Sequence, residues 1–98
     1  MAHFLLLYDV VPDYVERRAA FRAEHLSLVR AAYHRGELLL AGALVDPADG
    51  AVLLFEGEDP QAAERFAASD PYVIHGLVTH WRVRRWATVV GEGSSPPV

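Results

Sequence analysis

Apolar residues along the chain fall into four short runs and two longer periodic stretches, separated by turn-forming residues. The first run, within His3 to Val10, contains Phe4-Leu5-Leu6-Leu7-Tyr8 and is closed by Asp9 and Pro12. It is too short for a helix, and its odd and even positions are both apolar, which predicts a strand covered on both faces. Asp13 follows with Glu16 three residues later, a capping-box-like spacing that opens a helix. Tyr14 to His34 then reads as helical: Phe21, Leu28 and Ala32 share one face, which Leu26, Val29 and Tyr33 widen. Gly36 is the expected stop, because the residue just past a helix often takes a left-handed backbone.

Glu37 to Val45 predicts a second strand, and Asp46-Pro47-Ala48-Asp49-Gly50 a turn leading into a third strand, Ala51 to Phe55. After the polar break Glu56-Gly57-Glu58, Asp59-Pro60 has the form of an N-cap followed by a first helical residue. This helix carries Ala62, Ala63, Phe66 and Ala67 and ends at Ser69-Asp70-Pro71, since proline drives the residue before it out of helical geometry. A short irregular turn leads to a last strand, Leu77 to Val90. Leu77, Thr79, Trp81 and Val83 lie on one side of it, and Val78, His80, Arg82 and Arg84 mostly on the other. Gly91 to Val98 has little to pack and is expected to form a flexible tail to a domain spanning 1–90.

The order β-α-β-β-α-β predicts an α+β fold of ferredoxin-like topology, a four-stranded antiparallel sheet with two helices on one face. The second sheet face is apolar as well, and no part of the chain remains to cover it. An exposed patch of that kind marks an interaction surface. Two copies set sheet to sheet, a homodimeric α+β barrel, would bury it.

Composition narrows the picture. The sequence has 98 residues, 52% of them hydrophobic, enough for one domain and more apolar surface than a small monomer easily hides. Cysteine is absent, which excludes disulfides and thiolate chemistry and fits a reducing cytoplasm. No signal-like start and no run of membrane-spanning length is evident, so an unexported, cytoplasmic protein without membrane contact is expected. All nine basic residues are arginine, which excludes Schiff-base chemistry on a lysine. A net charge of −4 argues against nucleic acid as a partner, and Arg82-Val83-Arg84-Arg85 reads as a solvated strand face.

Several fragments together carry a resemblance. Arg22-Ala23-Glu24-His25-Leu26, Gly36 with Leu38 to Leu44 around Gly42, and Ser69-Asp70-Pro71-Tyr72 with Gly76-Leu77 are similar, in order and spacing, to the signature of YCII (YciI-like) proteins. Tyr8-Asp9 and Trp86 extend the likeness from Phe4 to Trp86, while Ala43 stands where many relatives have proline. The resemblance implies a dimeric ferredoxin-like barrel with a His–Asp pair, here His25 and Asp70, in a pocket between sheet and helices.

Each candidate has two readings. His25 lies at helical spacing from Phe21, Arg22, Leu28 and Val29, so it is either a core-edge histidine or a general acid–base group titrating near neutrality. Asp70 either ends the second helix and satisfies local amides or orients the His25 ring, fixing its tautomer and stabilising the imidazolium. Arg22 either receives an anionic substrate or serves as a solvated or ion-paired helix residue. Tyr8, otherwise read as plain packing, completes the expected substrate side of the pocket with Asp9, Gly42 and Ser69. A Ser69-His25-Asp70 triad lacks the nucleophile-elbow context. The five histidines have no metal-ligand spacing, and no nucleotide-binding loop occurs, so neither metal nor cofactor is expected. Trp81 and Trp86 read as core and interface aromatics.

The leading expectation is a small cofactor-independent enzyme performing proton transfer, of lyase or isomerase type, on a small organic molecule. The alternative is a non-catalytic dimeric module that binds a ligand or serves as an accessory protein.

Overall fold

The computed structural model describes residues 1–94, and in it the first apolar run is strand β1, Ala2–Val10. Positions 95–98 of the expected tail lie outside the described residues. The stretch predicted as one helix is divided into α1 (Tyr14–Arg17), a 3₁₀ turn (Arg18–Ala20) and α2 (Arg22–His34). Phe21, between the turn and α2, has a non-helical φ of −119°. Its ring stacks on His75 with centroids 4.2 Å apart, while Tyr14 is buried in the core. The break lets both aromatics pack, and tertiary packing thus overrides local periodicity. Asp13 makes no capping hydrogen bond through its side chain; its carboxylate lies 4.0 Å from Arg17 instead.

The stop at Gly36 is found as expected. Its φ is +80°, and the amides of Glu37 and Gly36 bond the carbonyls of Ala32 and Tyr33, a Schellman closure. Strands β2 (Leu38–Ala43) and β3 (Gly50–Gly57) form the predicted hairpin, with β2 shorter and β3 longer than the pattern indicates. Helix α3 (Gln61–Ser69) follows Pro60, and the Asp59 carboxylate accepts the Gln61 amide at 2.9 Å. The expected irregular turn is a further short helix, α4 (Pro71–Ile74), and the last strand is β4 (Val78–Trp86). β4 stops short of Val90 because it has no more neighbour: His3 is already paired with Trp86, and β1 starts at Ala2. Thr88 then folds back, its hydroxyl 2.6 Å from His3 Nδ1.

All pairings are antiparallel, in the order β2-β3-β1-β4, which is the ferredoxin-like arrangement. Facing pairs share a side of the sheet, so register sorts the residues. Leu6, Leu53 and Phe55 point into the helix-covered core with Ala32, Ala63 and Phe66. Leu5, Leu7, Val52 and Leu54 lie half-buried on the opposite face, beside Leu40, which is 70% exposed. This second face is apolar at its centre only, since β4 adds His80, Arg82 and Arg84 along one side. Among the described residues, no helix is long and apolar enough to cross a membrane.

Candidate active site

The Asp-Pro step after α3 builds the centre of the site. Proline holds Asp70 extended, with φ −70° and ψ 122°, so α3 ends there. The same residue caps the following helix: its Oδ1 accepts the Tyr72 amide at 3.0 Å, and Pro71 takes the first helical position, where no amide is needed. Fixed in this way, the Asp70 side chain is fully enclosed, with 0% exposure.

A buried carboxylate needs donors, and three converge on this one. Besides the Tyr72 amide, the Tyr8 hydroxyl donates to Oδ2 at 2.7 Å, and His25 Nδ1 lies 2.8 Å from Oδ1. With a carboxylate as partner, His25 carries its proton on Nδ1, and Nε2 is the nitrogen that has no hydrogen-bond partner among the described residues. The imidazole lies flat on the Tyr72 ring, centroids 3.9 Å apart and planes 9° from parallel, and Phe66 meets it edge-on at 6.4 Å. Ring orientation is therefore set by a hydrogen bond in the plane and by packing on its face. Burial, reinforced by the charge of Asp70 and the hydrogen bond to it, pushes the Tyr8 phenol far above its ordinary range, so Tyr8 stays a donor. Burial also raises Tyr72; Tyr14 and Asp70 add to the rise, while Arg22 and Arg18 oppose it.

His25 opens onto a cleft of about 430 Å³ between α2 and the β2 edge of the sheet. Leu26 and Val29 from α2 and Ala51 and Leu53 from β3 give it apolar walls, and the loop after β2 adds Leu44 and Val45. Arg18 and Arg22 line it as well, close to Tyr14 and Tyr72. The cleft thus joins an apolar body to a basic rim, with one oriented imidazole between them. Among the described residues, no three His, Asp or Glu side chains gather in a metal-binding set.

Of the residues expected at the site, His25, Asp70, Tyr8, Arg22 and Gly42 are brought together, Gly42 as part of the cleft wall. Arg22 does not pair with Asp70, whose oxygens are taken by other donors. Two expectations need correction. Asp9 is one position out of phase with Tyr8, so its side chain lies on the opposite sheet face, 3.5 Å from His80 and 62% exposed. Ser69 ends α3 facing a separate, smaller hollow with Arg65 and Glu37, because the chain turns at Asp70 and sends only the latter inward. The sequence pattern does not single out Arg18, Tyr14 or Tyr72, nor the bond from Tyr8 to Asp70. Arg18 lies four residues before Arg22, and Tyr72 lies two after a capping Asp; both spacings are signals that could have found them.

Comparison with known proteins finds relatives in sequence and in fold. Protein YciI of Escherichia coli O6:H1 is 33% identical over 86 residues, covering 79% of this chain and 88% of its own length. An uncharacterized protein of Haemophilus influenzae is 31% identical over 84 residues, covering 76% and 86%. Among solved structures, 5-chloro-2-hydroxyhydroquinone dehydrochlorinase from Burkholderia phenoliruptrix AC1100, in complex with 2,5-dihydroxybenzoquinone, has the same fold. Its TM-score is 0.73 at 21% identity, over 95% of this chain and 99% of that one. The family model for the YCII-related domain matches residues 1–87, and the chain belongs to that family.

Proposed function

We propose that the protein is a small-molecule enzyme in which His25 moves a proton during an elimination or isomerisation. The observation that carries this reading is the 2.8 Å contact between His25 Nδ1 and the buried Asp70 carboxylate, beside a cleft large enough for a small organic compound. In the reaction, Nε2 takes a proton from a C–H or O–H bond of the bound compound. Asp70 stabilises the imidazolium that forms, and the proton then passes to a leaving group or to a neighbouring carbon. Tyr8 and the Tyr72 amide hold Asp70 in place, which preserves the alignment. The fold-level likeness to a dehydrochlorinase that holds a small cyclic compound supports the same class of chemistry.

The working unit in this proposal is a homodimer formed through the open sheet face. Support comes from the half-buried Leu5, Leu7, Val52 and Leu54 and from the exposed Leu40 beside them. Leu54→Arg should convert a dimer to a monomer in sedimentation, and a wild-type protein that is monomeric at micromolar concentration contradicts the proposal.

Catalysis can be tested with a panel of compounds, before the physiological substrate is identified. Small cyclic hydroxy, keto and halogenated acids and quinols are incubated with the protein in D₂O. Mass spectrometry then follows deuterium entering carbon positions and any loss of HCl or water. Wild-type protein should act on some of them, and His25→Ala should be about 10²–10⁴-fold slower while ligand-induced thermal stabilisation persists. Equal, negligible turnover in both proteins alongside equal stabilisation would establish a binding module instead.

A further inference from the structure

We propose that Arg18, Arg22 and the Tyr72 hydroxyl form a receptor for an oxyanion carried on a planar ring, so that the cleft selects small cyclic organic anions. The ligands concerned are ring carboxylates and ionised enols or phenols. The inference rests on the cleft being the active site and adds what that site recognises.

The first observation is the Tyr72 hydroxyl, which is buried and has no hydrogen-bond partner among the described residues, its residue being only 1% exposed. Buried polar groups are seldom left without partners, and such an exception in a cleft wall is what a ligand atom would satisfy. The second is the pair of guanidinium groups. Arg18 and Arg22 line the same cleft, and neither makes an ion pair among the described residues. Asp70 cannot neutralise them, since its oxygens are committed to Tyr8, His25 and the Tyr72 amide. Arg18 is held over the Tyr14 ring, 5.3 Å from its centroid, and Tyr14 in turn meets Tyr72 edge-on at 5.7 Å. A cation fixed on an aromatic support beside an unpaired hydroxyl is a preorganised anion site.

The rest of the cleft specifies what carries the anion. Leu26, Val29 and Leu53 offer apolar contact but no hydrogen-bonding side chains. A cavity of about 150 Å³ accepts benzene, so the larger volume here suits one substituted ring. The Tyr72 ring is also the surface on which His25 lies, so an oxyanion held by its hydroxyl places the attached ring beside the imidazole.

The test is calorimetric titration at low ionic strength with two matched pairs, benzoate against benzamide and 4-nitrophenolate against 4-nitroanisole. Wild-type protein should bind at least one anion tenfold or more tightly than its neutral counterpart. Arg18→Gln and Arg22→Gln should each reduce that preference several-fold. Tyr72→Phe, which keeps the ring under His25, should weaken the anion at least fivefold and leave the neutral ligand unchanged. His25→Ala should retain the preference, which separates anion recognition from proton transfer: a wild-type protein that prefers the anion yet exchanges no deuterium, or a His25→Ala protein that exchanges as fast as wild type, would sink only the catalytic reading. The receptor is overturned if neither anion binds better than its neutral partner at millimolar concentration, or if the preference survives both arginine substitutions and Tyr72→Phe.

Discussion

Asp70→Asn perturbs the centre of the site by the smallest available change. The carboxylate accepts from His25 Nδ1 at 2.8 Å, from the Tyr8 hydroxyl at 2.7 Å and from the Tyr72 amide at 3.0 Å. An asparagine can keep its oxygen at the position shared by His25 and the Tyr72 amide, but its NH₂ group then faces Tyr8, which was a donor. Turned the other way, the amide satisfies Tyr8 and sets NH₂ against the Tyr72 N–H. Either orientation forfeits a charge-assisted hydrogen bond worth about 1.5–3 kcal/mol and leaves a buried donor poorly satisfied. We expect destabilisation of about 2–4 kcal/mol, a large share of the roughly 5–15 kcal/mol that holds a small domain together. For a domain of this size, that corresponds to a fall in Tm of roughly 10–25 °C, readable by calorimetry or circular dichroism. Because Tyr8 and Asp70 touch, Tyr8→Phe combined with Asp70→Asn should cost less than the two single changes added together. A Tm within about 3 °C of wild type would refute the claim that the carboxylate is held by these donors.

Two further outcomes follow from the same packing. Tyr8 keeps its proton in the fold, while in the unfolded chain it titrates near the ordinary tyrosine value of 10.0. Above that pH the unfolded state binds fewer protons than the native state, so stability is full below about pH 10 and falls as pH rises beyond it, by up to about 1.4 kcal/mol per pH unit. Tyr8→Phe should flatten this alkaline decline in denaturant titrations, and an unchanged slope would count against the buried phenol. Gly50→Ala should be destabilising by roughly 1–3 kcal/mol, because a Cβ there would lie 2.7 Å from the Tyr8 carbonyl oxygen and displace β1 together with the Tyr8 side chain. A Tm equal to wild type would show that the strand can shift at no cost.

Much of the fold is legible in the residue pattern. Four apolar runs correspond to four strands, and Gly36 ends α2 where expected, because period and backbone preference are local properties. The meeting of His25 with Asp70 follows from helix placement together with the family resemblance, although the residues alone leave both with ordinary structural readings. What the pattern does not reveal is non-local or depends on a one-residue phase. The helix from Tyr14 to His34 breaks at Phe21 because of His75, more than fifty residues away in the chain. Asp9 looks like a natural companion of Tyr8, yet alternation along a strand sends neighbours to opposite faces. Asp70-Pro71 reads as the end of one helix, whereas the same dipeptide form at Asp59-Pro60 reads as a beginning; in the fold Asp70 is both. Nothing in the residue pattern signals that the Tyr72 hydroxyl is enclosed with no partner among the described residues, since that depends on where Tyr14 and α2 come to rest.

The most direct measurement is long-range ¹H–¹⁵N correlation NMR on the His25 ring in its uncharged form. Donation to Asp70 should place the proton on Nδ1 and leave Nε2 as the acceptor facing the cleft, with that preference weakened in Asp70→Asn. A ring protonated on Nε2 in the wild-type protein would leave no lone pair where the substrate proton must go, and would contradict the assignment of His25 as the base.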